Sequence, residues 1–138
     1  MDAWAALQSI KARLASVNGV KTCRIGIEAG LSPDDYPIIR LVPERLSRRE
    51  RAEDIALTVY YGMPVGEGDA GGLEAVYAAL LGMEADIRAA LATGEGWSAA
   101  FVDTVTDEDR LEQYKLFASR FEIQWPAAPT PRQPRQDA

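Results

Sequence analysis

The sequence predicts an α+β domain: a mostly antiparallel sheet of about five strands with two helices packed on one face, in the order α-β-β-β-α-β-β. Three observations carry this. Two segments repeat apolar residues every three or four positions, as amphipathic helices do. Several shorter segments alternate at a period of two, as half-buried strands do. The 138 residues, 47% of them apolar, suit one domain with its own core.

Residues 2–17 open the chain as a helix, with Trp4, Leu7, Ile10, Leu14 and Val17 on one stripe and Lys11 and Arg13 off it. Asn18-Gly19 stops it, since both residues tolerate positive φ. Residues 21–28 alternate Cys23, Ile25 and Ile27 against Thr22, Arg24, Gly26 and Glu28, a half-buried strand. A loop over 29–35 leads to a second strand, Tyr36–Val42, whose early Pro37 fits a strand beginning. Residues 43–53 read as a long charged connection, and 54–62 give the strongest strand pattern, with Ile55, Leu57, Val59 and Tyr61 on one side. These first three strands are expected to form an antiparallel meander. A glycine-rich loop follows to residue 72. The second helix, about 73–92, has Leu73, Tyr77, Leu80, Ile87 and Leu91 on its stripe, with Val76 and Met83 beside it. Thr93–Gly96 ends that helix, and residues 97–105 form a strand carrying Trp97, Phe101 and Val105. After an acidic turn at 106–110, residues 113–125 close the domain with Phe117, Phe121, Ile123 and Trp125 on one face. The domain is thus expected over 1–125. Residues 126–138, with Pro126, Pro129, Pro131 and Pro134 and no large apolar side chain, read as a disordered tail.

Composition excludes several kinds of chemistry. There is no histidine, which removes the commonest general base, the commonest transition-metal ligand and every Ser-His or Cys-His nucleophile. The single cysteine, Cys23, cannot form an internal disulfide and reads as a small buried hydrophobe. A net charge of −6 gives no global footprint for nucleic acid. No apolar run reaches the ~18 residues of a membrane span, and the N-terminus lacks the pattern of a secretory signal.

Three clusters invite a functional reading. The loop 62–72 lacks P-loop spacing and a following Lys-Ser/Thr pair, and Glu67 and Asp69 would repel phosphate. It reads as a mobile loop. The acids Asp103, Asp107, Glu108, Asp109 and Glu112 could attract a hard cation, but they lack EF-hand spacing, and the simplest account is a solvated turn. No catalytic residue, cofactor site or metal site is expected. The arginines Arg45, Arg48, Arg49 and Arg51 sit among Glu44, Glu50 and Glu53. They can be a solvated loop, or a basic loop that meets the acidic face of an identical neighbour, because the guanidinium fork pairs bidentately with carboxylates. Asp107 and Asp109 are candidates for that acidic face. Tyr60, on the face opposite the core set, is a candidate interface anchor.

The whole plan resembles a known family. The first helix ends at Asn18-Gly19 and is followed by Arg24-Ile-Gly-Ile and Pro37-Ile-Ile-Arg-Leu-Val-Pro. The strand Asp54-Ile-Ala-Leu-Thr-Val-Tyr-Tyr-Gly, the helix Leu73-Glu-Ala-Val-Tyr-Ala-Ala-Leu and the strand Leu116-Phe-Ala-Ser-Arg-Phe-Glu-Ile-Gln-Trp come after. Over roughly residues 3–126 this order, size and strand character is similar to the tail terminator, or tail-completion, proteins of long-tailed bacteriophages, the minor tail protein U-like proteins. The resemblance implies a non-catalytic virion subunit, assembled in the host cytoplasm, that forms a hexameric ring. The ring would cap the tail tube at its neck-proximal end and end tail growth. It would present a joining surface to the head connector, with DNA passing through its lumen unbound. The family has no motif that fixes contacts, so no residue role is carried over. A neck or head–tail adaptor of the same virion, or a non-viral binding module for a small ligand, are the alternatives.

Overall fold

The computed structural model describes residues 1–26, 34–65, 72–106 and 114–127, and the backbone of residues 33 and 107–109. Its elements are α1 (Ala3–Ala15), β1 (Thr22–Ile25), β2 (Ile38–Arg48), β3 (Ala52–Pro64), α2 (Gly72–Leu91), β4 (Ser98–Asp109) and β5 (Tyr114–Pro126), with a short 3-10 turn at Pro33–Asp35. The α+β class and the element order are as the sequence predicts.

Asp2 caps α1 by accepting a hydrogen bond from the Ala5 amide at 2.7 Å, satisfying one of the orphan donors of the first turn. The helix buries Ala6, Leu7, Ile10 and Leu14. Trp4, placed on this stripe by its spacing, is instead 60% exposed. It lies about 120° around the helix from Ile10, whereas Ala6 lies within about 40° and takes the inward position. Gly19, at φ +87°, makes the turn toward β1. In α2 the residues Val76, Leu80, Met83, Ile87 and Leu91 are buried, while Leu73 in the first turn is exposed. The Arg13 guanidinium ties α1 to the end of α2 by donating to the Ala90 carbonyl at 3.1 Å, and the Trp97 indole N–H, just before β4, donates to Ser9 Oγ of α1 at 2.9 Å. Arg13 thereby serves one of the carbonyls left open in the last turn of α2.

The five strands form one sheet in the order β1-β2-β3-β5-β4. The expected meander is corrected in two places. β1 runs parallel to β2, not antiparallel. The connection over residues 26–37 is long enough for the chain to return to its starting end, which a parallel pair requires. The long charged connection at 43–53 does not exist either. β2 continues to Arg48, a tight turn follows, and β3 starts at Ala52. Residues Pro43 to Leu46 and Arg48 of β2 are exposed, so that half of the hairpin carries no apolar alternation to read, while β3 stays paired with β5 from Ala52 onward. Pro43 is accommodated because the register shifts between Pro43 and Arg45, leaving Glu44 as the extra residue of a bulge. Gly62 to Pro64 belong to β3, and the remainder of the glycine-rich loop at 66–71 lies outside the described residues. A Cβ at Gly62 would come within 2.7 Å of the Lys115 carbonyl, so close strand pairing excludes a side chain there.

One face of the sheet carries the core. Ile39 and Leu41 of β2, Ile55, Leu57, Val59 and Tyr61 of β3, and Phe117, Phe121, Ile123 and Trp125 of β5 pack with the buried stripes of both helices. Ser119 is the polar exception on β5: its hydroxyl lies 2.8 Å from Tyr61 Oη and 2.8 Å from Thr104 Oγ1. The buried hydroxyls of Tyr61 and Ser119 thus each have a partner.

Candidate assembly surface

No described helix packs on the opposite face of the sheet. Its side chains fall into cross-strand rows set by the register. At the hairpin end the row is Ser47, Asp54, Gln124 and Ser98; at the other end it is Thr22, Ile38 and Leu116, with the backbone of Asp109 level with them. Between them lie Arg24, Arg40, Tyr60, Ala118 and Val105. Two shallow concavities open on this face. One, of about 590 Å³, is lined by Tyr60, Val102, Val105, Arg120 and Glu122 among others. The other, of about 540 Å³, lies between Arg45, Arg49, Asp54 and Glu122 beside the hairpin.

The arginine run sits on strand and turn rather than on a loop. Arg45 and Arg48 belong to β2, and Arg49 and Arg51 to the turn that follows. Arg45 pairs with Glu122 at 3.8 Å, Arg48 with Glu53 at 3.1 Å and Arg49 with Asp54 at 3.7 Å. All three guanidinium groups stay largely exposed, so these contacts are surface pairs that cost little to exchange for another carboxylate. Glu53 also accepts from the Trp125 indole N–H at 2.9 Å, which anchors the turn end of the hairpin to the core. The backbone amide of Ala127 donates to the Arg51 carbonyl at 3.0 Å, so the chain leaves β5 beside this turn. The rest of the proline-rich segment lies outside the described residues.

Tyr60 is half-buried on the face opposite the core set, where its alternation puts it. Asp107 and Asp109 fall in the backbone of β4, which replaces the expected acidic turn up to residue 109; their side chains, like Arg110 to Gln113, lie outside the described residues. The structure does not bring these acids to the arginines of the same chain: Asp109 shares a row with Thr22 and Leu116, at the end of the sheet away from the hairpin.

Sequence reasoning missed the strongest polar contact on this face. Arg120 of β5 grips Asp103 of β4 with two parallel hydrogen bonds, its Nε at 2.6 Å from Oδ1. This pairing holds the Asp103 carboxyl below the usual carboxylate range and raises Arg120 further. Adjacent strands of opposite charge were the available signal, but the bulge between Phe101 and Asp103 hides the register that aligns them. Also unforeseen is the exposure of Phe101, Val102 and Val105 on β4, at 44%, 50% and 41%. Phe101 leans edge-on against Phe121 and lies under the Arg88 guanidinium at 5.3 Å, yet its outer side is open. Burial pushes the Cys23 thiol up to about 11, against the opposing pull of Lys11, leaving it little of the reactive thiolate at neutral pH. Among the described residues no helix is long and apolar enough to cross a membrane.

No protein-family model and no curated protein matches the sequence. Among solved structures, the chain is similar to one chain of the virion of a native gene transfer agent particle. The match has a TM-score of 0.57 at 15% identity and covers 90% of this chain and 97% of that one. At that identity the likeness establishes a shared fold over nearly the full length of both chains.

Proposed function

We propose that this chain is a non-catalytic structural protein of a phage-type virion, and that copies of it form a ring that caps the tail tube and presents a joining surface to the head connector. The observation that carries the reading is the fold shared, almost end to end, with a chain of a gene transfer agent virion. The surface chemistry agrees with it: a sheet face on which no described helix packs, an edge strand with exposed apolar residues, and an arginine hairpin with exposed charge. Arg45, Arg48, Arg49 and Arg51 would contact carboxylates of another copy or of the tube or connector, with Tyr60 as an anchor on the open face. Asp107 and Asp109 would supply acidic contacts at the other end of the sheet. With a net charge of −6 the subunit suits a lumen through which DNA slides without being held.

Light scattering and negative-stain microscopy of the purified chain test this. A ring of about six times the 15.1 kDa subunit mass is the expected result. A strict monomer at high concentration, with no rings on the grid, defeats the reading. The double change Arg48→Glu, Arg49→Glu should weaken assembly or tube capping while leaving the fold intact. Unchanged assembly and capping would remove the hairpin from the contacts. A position among the neck adaptors is the second reading, because the neighbour's description names the virion and no place within it. Sedimentation with preformed tubes separates the two, since a tube cap co-sediments and a connector-side adaptor does not.

A further inference from the structure

Both outer edges of the sheet are open among the described residues, and they differ in charge. β4 is a 12-residue edge with no lysine or proline, and it exposes Phe101, Val102 and Val105. An edge strand presents unpaired N–H and C=O groups that can recruit a further strand, and here two register irregularities accompany the exposed apolar side chains. Residues 98–109 contain four acids, Asp103, Asp107, Glu108 and Asp109, and no base. β1, at the opposite edge, is a short strand with Lys21 just before it and Arg24 within it, and no acid between residues 21 and 25.

The register puts these opposite charges at one level. Thr22 shares a cross-strand row with Asp109, and Arg24 shares one with Val105, so β1 stands level with the acidic end of β4. The pairing directions also fit: β1 is parallel to β2, and three antiparallel steps then lead to β4, so β1 and β4 of one chain run in opposite senses. Rotation about an axis along the strands keeps strand directions and leaves the helices of every copy on the same side. A closed ring has no rise per subunit, so residues of one row meet residues of the same row in the neighbour.

We propose that β4 of one copy and β1 of the next pair antiparallel at the level of Val105 to Asp109, joining the sheets of neighbouring subunits into one continuous sheet. The inference rests on the ring reading and names the seam that closes it. Lys21 and Arg24 of one copy face the acidic end of β4 in the next, and Val105 loses part of its exposure to water. The seam is heterologous, so each subunit uses both of its edges.

Disulfide trapping tests it. In the full-length chain with Cys23→Ala, cysteines are placed at Arg24→Cys in β1 and Val105→Cys in β4, with Arg24→Cys plus Asp107→Cys as a second register. Circular dichroism checks the fold of each variant. Oxidation should give a covalent ladder that ends at ring size in at least one double variant, and no ladder in any single variant. Separately, Arg24→Glu should weaken assembly about tenfold or more, and Arg24→Lys should restore it. Dimers from Val105→Cys alone, with no ladder in the doubles, would replace the seam by a two-fold edge contact. Rings seen by light scattering without any crosslink would overturn the seam and leave the ring standing. Monomers throughout would overturn both.

Discussion

The two faces of the sheet solve different problems with the same strands. On the helix side, Leu57, Val59, Ile123 and Trp125 are almost wholly buried, and the polar atoms that enter are chained together as Tyr61, Ser119 and Thr104. On the other side the contacts are ion pairs between strands, Arg120 with Asp103 on the neighbouring strand and Arg45 with Glu122 across β3, largely open to water. The first face holds the fold, because burial of large apolar groups and satisfaction of buried hydroxyls each carry energies that surface pairs do not reach. The second face is free to serve contacts between molecules, because changing it leaves the core alone. Measurements can break or sharpen this contrast.

The largest effect is expected from Trp125→Ala. It removes the largest fully buried side chain and the indole donor to Glu53, and should cost about 3–5 kcal/mol in urea unfolding. A loss near that of an exposed substitution would mean that the β5 end of the core is not packed as described. Ser119→Ala comes next. It leaves the Tyr61 hydroxyl without its partner in a dry site, for an expected loss of about 1–3 kcal/mol.

The third prediction uses pH. Burial pushes the Tyr61 phenol up to about 12, above its ordinary value. A raised pKa means that the neutral phenol favours the folded state. The stability it contributes is therefore fully present below pH of about 10 and is lost as pH rises through about 12. Thermal melts across that window should fall steeply, and Tyr61→Phe should flatten the fall. The smallest effect is expected at the exposed end of the hairpin: Arg48→Ala should change stability by no more than about 1 kcal/mol, although its pair with Glu53 is 3.1 Å long. A loss as large as that of Ser119→Ala would show that the hairpin supports the core, and would spoil its use as a purely intermolecular surface.

Periodicity made most of the elements legible. β3 and β5 alternate so regularly that their buried sets, from Ile55 to Tyr61 and from Phe117 to Trp125, could be named from the sequence. The hairpin at 43–53 was illegible for the opposite reason. Its β2 half is exposed at Pro43 to Leu46 and at Arg48, and its charged residues look like a loop. Trp4, Leu73 and Phe101 fit apolar patterns and are nonetheless exposed, since a pattern states which side a residue is on and not whether anything covers it. The candidate surface was legible only in part. The arginine run stood out by composition, but its pairs with Glu53, Asp54 and Glu122 needed the register of two neighbouring strands.

By itself the sequence determined the class of the fold, the order of its elements and the absence of histidine chemistry, because periodicity and composition are local properties that survive any arrangement of the chain. The tertiary structure alone decided that β1 joins parallel to β2, which two strands are left as edges, and that basic β1 stands level with the acidic end of β4. Those are properties of strand neighbours far apart in the chain. They follow from how the helices and connections let the sheet close over one core, and no window of sequence contains them.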